Sequence, residues 1–238
     1  MNFQQSIQTY FPGVISVTDF LQKTYRILQA MGFDATNTIA CVGVCRDELT
    51  KPLSVMISSI WGPSFNLASL GGMLFLGKTG FSAANHHAPI VNGRERCVYF
   101  TLPHIAIAAD GTIGHYYRPG REKPSRACGA LDKFHKEIVS GNPNLEFDPL
   151  DIEQSLLKQR LSQRIEKGDV PLDLVQLTKL TYEVVLDDLE QMLSMTTNPA
   201  HCNYAVMTGI QIHGPHEDFI WPGKLYAVVE GQRRNMEL

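Results

Sequence analysis

Two apolar runs constrain the fold more than any other feature of this chain. Residues 38–45 (Thr-Ile-Ala-Cys-Val-Gly-Val-Cys) form a short, continuous, β-branched stretch. Residues 97–109 form a second, broken by Pro103-His104. Strands that read as unbroken apolar runs rather than alternating ones are covered on both faces, the habit of parallel sheets in α/β proteins. Both runs are therefore expected to be parallel strands. A third return to strand is expected near the C-terminus, over Tyr204–Ile212, Asp218–Trp221 and Leu225–Val229, with turns at Gly214-Pro215 and Pro222-Gly223.

Helical patterns separate these runs. Residues 18–31 read as an amphipathic helix capped by Thr18 or Asp19 and stopped at Gly32. A helix near 50–61 tolerates Pro52 in its first turn and ends before Gly62. Another spans Ser125 to Val139 and ends at Gly141. Asp110-Gly111 reads as a hairpin turn leading into Thr112–Tyr117, and Arg118–Pro124 as a basic loop. The glycine-rich stretch 66–93 is expected to be loop around a strand near 72–76. Residues 149–167 and 171–193 read as two long helices, with starts at Asp148-Pro149 and Asp169–Pro171, a stop at Gly168 and a break at Asn198-Pro199. Their charged outer faces suit a solvated surface around a packed stripe, part of which is available for a dimer contact. No linker is evident, so the 238 residues are expected to form one domain, with a helical insertion at about 148–196 and C-terminal strands over 203–230.

Bulk properties narrow the function. A net charge of −3 does not suggest a nucleic-acid or anionic-membrane surface. No apolar stretch approaches the roughly 18 residues needed to span a bilayer. Met1–Gln8 has neither a basic start nor a long apolar core, so a cytoplasmic location is expected, with an organelle stroma also compatible. Five cysteines at irregular spacing point to a reducing compartment and to metal or reactive thiols rather than a disulfide framework.

Three residues stand where chemistry is expected. Cys45 ends one apolar run, His104 ends another, and Cys128 opens a helix. Two thiolates and an imidazole are three of the four ligands of a tetrahedral zinc site, and three protein ligands leave one position for water. A cysteine at a helix start faces unpaired N–H groups that favour its thiolate. The C-terminal ends of parallel strands are where open α/β sheets build sites. Gaps of 59 and 24 residues match no short zinc motif, so spacing alone leaves open the reading of ordinary core thiols and a satisfied histidine. Cys41, Cys97 and Cys202 read as core thiols, and His115, His135, His201, His213 and His216 as structural or surface residues. Of His86 and His87, one is a candidate to line the pocket or shuttle a proton. Gly72–Thr79 matches the G-x-x-x-x-G-K-[ST] pattern of nucleotide-binding loops, but its central Met-Leu-Phe-Leu wants a core rather than a phosphate.

Asn37–Glu48 resembles the first-cysteine motif of the limiting-CO2-inducible protein B/C family, the theta-class, β-type carbonic anhydrase-like proteins. Phe65-Asn66 through Gly71-Gly72, Asn92–Arg96, Phe100–Ile105, Arg118–Arg121 and Ala127–Leu131 are similar to it too, as are Ile212–Pro215 and Ala227–Val229. The resemblance covers at least residues 35–135. It implies an α/β fold with a mainly parallel sheet flanked by helices, as in β-carbonic anhydrases, and zinc held by Cys45, His104 and Cys128. It implies reversible hydration of CO2 to bicarbonate by a zinc-bound hydroxide, a role in a CO2-concentrating mechanism, and a homodimer. Cys45-Arg46-Asp47 also resembles the Cys-x-Asp-x-Arg motif of those enzymes, in which the aspartate accepts from the zinc-bound water and an arginine orients it. Here the last position is Leu49, so Asp47 carries over, while Arg46, the nearest in sequence, Arg94 and Arg96 all stand as candidate partners. The alternatives are a catalytically silent zinc-binding member acting through partners in inorganic-carbon uptake or sensing, and a nucleotide-binding protein built on Gly72–Thr79. Trp61, Phe65, Phe75 and Phe81 are more apolar surface than a solvated loop should carry, which is a separate hint of a dimer contact at 61–90.

Overall fold

Side chains along residues 39–44 sort by parity. Cys41 and Cys45 face one apolar cluster, and Val42 and Val44 the other. Such two-sided burial is what a strand in the middle of a layered α/β fold requires. The computed structural model describes residues 1–165 and 173–238. In chain order the elements are α1 (Phe3–Tyr10), β1 (Ile15–Ser16), α2 (Val17–Ala30), β2 (Ile39–Val44), α3 (Lys51–Trp61), β3 (Phe65–Asn66), α4 (Gly77–His86), β4 (Ile90–Val91), β5 (Arg94–Leu102), β6 (His104–Ala106), β7 (His115–Tyr116), β8 (Ser125–Arg126), α5 (Gly129–Val139), α6 (Ile152–Ile165), α7 (Leu174–Thr196), β9 (Cys202–His213), β10 (Asp218–Val229) and β11 (Gln232–Asn235).

The main sheet runs β1-β10-β9-β5-β2-β3, with β6 on β9. Its centre is parallel: β3, β2, β5, β9 and β6 point one way. Antiparallel strands β10, β1, β11 and β4 finish it. One face is covered by α2 and α3 through Phe20, Leu28, Leu53 and Ile57. The other is covered by α4, α5, α6 and α7 through Phe81, Phe134, Leu161 and Leu189. The expected α/β architecture, a mainly parallel sheet with helices on both sides, is therefore present.

Several local expectations change. Ser16, not Thr18 or Asp19, caps α2, its hydroxyl accepting the Asp19 N–H at 3.1 Å. Cys128 itself precedes the first turn of α5, so that helix starts four residues later than the pattern suggested. Residues 218–229 form one strand, with a register shift between Pro222 and Leu225 where two were expected. The expected starts and stop at Gly168–Pro171 lie outside the described residues.

The largest difference is at 72–86. No strand forms at 72–76; Met73 and Leu74 are buried in loop, and a helix follows at 77–86. The helix hides its pattern because its buried residues, Phe81, Ala84 and Asn85, sit at i, i+3 and i+4 among small residues. Trp61 and Phe81 are in the core and Phe65 and Phe75 are partly buried against it, so packing within the chain already accounts for their apolar character.

Asn85 fastens α4. Its Nδ2 donates to the Thr196 carbonyl at 3.0 Å and to Thr197 Oγ1 at 3.2 Å, and its Oδ1 accepts from Tyr99 O–H at 2.6 Å. Asn85→Ala strands the fully buried Tyr99 hydroxyl, and a loss of about 1–3 kcal/mol is expected. A urea midpoint that falls at unchanged slope checks this.

Candidate metal centre

Register brings the first two site residues together. β2 pairs with β5 so that Val44 faces Leu102, which sets Cys45 beside Pro103-His104 at the C-terminal end of the parallel strands. Pro103 removes one N–H from the ladder without a slip: Thr101 faces Thr208 and His104 faces Gln211. Gly72 closes in from the α5 side. A Cβ there would lie 3.2 Å from the Pro103 backbone, and the residue's φ of +74° suits glycine. The short hairpin of β7 and β8 then delivers Cys128 to the same point.

Cys45 Sγ and Cys128 Sγ are 3.7 Å apart. The ligand atoms of Cys45, His104 and Cys128 all lie within 4.8 Å of one another, and all three residues are buried. Two sulfurs bound to one tetrahedral zinc at about 2.3 Å would sit about 3.8 Å apart. His104 Nε2 is buried without a hydrogen-bond partner, while its Nδ1 lies 3.0 Å from His213 Nε2. A paired sulfur spacing and an orphaned imidazole nitrogen are what a metal would complete, so this donor set fits zinc. Among the described residues no other group of three such side chains comes as close together.

The two thiols divide one proton unequally. The Cys128 S–H, and after it His104, pull Cys45 down to about 4. Cys128 is pushed up, first by donating to Cys45 and then by burial, against the N–H groups of Leu131 and Ala130 at the start of α5. A thiolate on one sulfur is thus favoured by the other's S–H, and the thiolate is the form a metal needs.

Asp47 stands beside the trio, its Oδ2 4.0 Å from His104 Nε2. Burial raises its pKa, and the Leu49 N–H and the Arg118 guanidinium oppose the rise. Its arginine is Arg118, whose Nη2 reaches Oδ1 at 2.9 Å and Oδ2 at 3.1 Å. Arg118 Nε also holds Glu48, pulling that carboxyl down to about 2. The expected partners lie elsewhere. Arg46 is half-exposed and grips Glu153 with Nε at 2.9 Å and Nη2 at 2.7 Å, tying α6 to the loop after Cys45. Arg94 binds the Pro199 carbonyl and Arg96 that of Gly32. Arg118 escaped notice because it is remote in sequence. The signal was its place: it follows β7 in the same hairpin whose return strand, β8, leads into Cys128.

Other sequence candidates fall outside the trio. Cys41, Cys97 and Cys202 are buried free thiols, as expected. His86 and His87 are exposed; the His87 ring lies 5.8 Å from Phe65, which pairs with Cys41, four residues before Cys45. His213, read as structural or surface, is buried, with its Nε2 against His104. Met73 and Leu74 fill the core where a phosphate loop would need open backbone amides.

An α/β sheet with Cys, His and Cys gathered at its parallel end and an Asp–Arg pair beside them defines a class of protein with a β-carbonic anhydrase-like fold. The chain belongs to the family described as limiting CO2-inducible proteins B/C beta carbonic anhydrases, which it matches over residues 14–229. It is similar to the crystal structure of limiting CO2-inducible protein LCIB, with 35% identity, a TM-score of 0.80 and 96% of each chain covered. PtLCIB4, a homolog of LCIB, has the same fold at 24% identity, with a TM-score of 0.85 and 98% of each chain covered. No curated protein sequence matches the chain. Among the described residues no helix is long and apolar enough to cross a membrane.

Proposed function

We propose that this chain is a zinc-dependent carbonic anhydrase that interconverts CO2 and bicarbonate. The observation that carries the reading is the 3.7 Å sulfur pair facing an unpartnered, buried His104 Nε2, with Asp47 at its edge. Cys45, His104 and Cys128 would hold the ion, which supplies a Lewis acid able to bring the pKa of water from 15.7 toward about 7.

The protein's own groups do the rest. Asp47 is kept from swinging freely by Arg118 and by the Leu49 N–H, which reaches its Oδ1 at 3.1 Å. A carboxylate so fixed accepts a hydrogen bond from the reacting water, turns the oxygen lone pair toward CO2, and rejects occupants with no proton to donate there.

Metal analysis and stopped-flow CO2 hydration test the reading together. About one zinc per chain and hydration well above the buffer rate are expected. Zinc without hydration would return the chain to the silent-member alternative; absence of zinc would remove the mechanism. A homodimer and a part in inorganic-carbon supply belong to the same reading, and light scattering at assay concentration tests the dimer.

A further inference from the structure

Behind His104 a chain of hydrogen bonds runs to a carboxylate. His104 Nδ1 is 3.0 Å from His213 Nε2, and His213 Nδ1 is 2.9 Å from Asp218 Oδ2. The same oxygen accepts from Gln211 Nε2 at 2.9 Å. The sheet builds this arrangement. In the parallel β6–β9 ladder His104 faces Gln211 and Ala106 faces His213, so the two histidines are diagonal neighbours two residues apart. The antiparallel β9–β10 pair then sets Asp218 directly opposite His213. The two rings meet edge to face with centroids 5.1 Å apart, and Tyr116 stands edge-on to His213 at 6.0 Å. His104 is fully buried and His213 is 1% exposed.

The carboxylate gives the chain a direction. An ionised Asp218 only accepts, so the hydrogen it faces must sit on His213 Nδ1. A neutral imidazole carries one N–H, which leaves His213 Nε2 as a lone pair. That lone pair must accept from His104 Nδ1–H, and His104 Nε2 is then bare. Reversing either ring would set two lone pairs or two hydrogens against each other in a buried contact.

We propose that His213 and Asp218 are positioning residues that lock His104 in its Nδ1–H tautomer, with its Nε2 lone pair aimed at Cys45 and Cys128. On the zinc reading, on which this role rests, that lone pair is the third donor, delivered with the correct tautomer and ring angle. Groups that hold a ligating histidine in this way typically contribute 10–100-fold in metal affinity.

Nitrogen-15 NMR of the metal-free protein reads the tautomer without any metal or assay. His104 is expected with its proton on Nδ1, and a wild-type spectrum with the proton on Nε2 overturns the proposal. Zinc affinity, measured by chelator competition, is expected to fall 10–100-fold in His213→Leu and in Asp218→Ala, and to stay near wild type in His213→Gln, whose amide oxygen can still accept from His104. Folded His213→Leu or Asp218→Ala protein that binds zinc within twofold of wild type overturns it. Asp218 begins β10 with its side chain 25% exposed, so its variant serves if His213→Leu does not fold. Wild-type protein that binds no zinc sinks the metal reading, and the tautomer measurement still decides the positioning role.

Discussion

Cys128→Ser is expected to yield a folded protein with no tightly held zinc and CO2 hydration at the buffer rate. A serine hydroxyl stays protonated at neutral pH, so the substitution removes a donor charge as well as a bond. A three-ligand site has no spare protein donor to replace it. The side chain is 2% exposed and sits where α5 begins, so no neighbour can swing in from solvent. Cys45→Ser and His104→Ala should behave alike. Cys41→Ala and Cys97→Ser are the controls, because both face the same apolar cluster as Cys45 and neither belongs to the close trio. They should keep about one zinc per chain while losing some stability. Metal analysis on folded protein, with circular dichroism as the check of fold, separates these outcomes. Zinc retained in Cys128→Ser, or lost in Cys97→Ser, would mean that the ligands have been assigned wrongly.

What could be read from the residues follows from how locally each signal is written. The strand at 39–44 and its helix-bearing neighbours are local: β-branched runs, a proline in a first turn, glycines after helix ends. Cys45, His104 and Cys128 were legible because each ends or opens such an element, and parallel pairing puts those ends together. The helix at 77–86 was not, because Gly77, Gly80 and a run of small residues dilute its apolar pattern; its place is set by tertiary contacts of Phe81, Ala84 and Asn85. Arg118 and His213 were missed for another reason. Arg118 meets Asp47 across 71 residues, and His213 meets His104 across 109, through pairings of β7 with β8 and of β6 with β9. No spacing rule encodes such partners. The same limit misled the reading of Arg46, whose nearness in sequence says nothing of where its guanidinium lands.

Arg118→Ala is expected to keep zinc and lower CO2 hydration about 10–100-fold, the usual effect of removing a group that orients the residues around a metal. Asp47 loses a two-point grip that no other described side chain supplies, since Arg46 is committed to Glu153 on the other side of the loop. Arg118→Lys should not rescue fully, because one ammonium cannot reproduce a guanidinium fork whose Nη2 reaches Asp47 while its Nε holds Glu48 and its Nη1 Ser125. Arg46→Ala should cost far less: its ion pair with Glu153 is half-exposed, and such pairs contribute about 0–1 kcal/mol. A pH profile adds a second readout. Burial already raises the pKa of Asp47, and the Arg118 guanidinium beside it holds the rise down. Removing that charge favours the neutral carboxyl, so the acid-side half-point of hydration should move to higher pH in Arg118→Ala and stay put in Arg46→Ala. Turnover and pH profile both unchanged in Arg118→Ala would take the Asp47–Arg118 pair out of the mechanism. The same changes in Arg46→Ala instead would mean that the arginine written beside Asp47 in the sequence, rather than the one beside it in space, does the orienting.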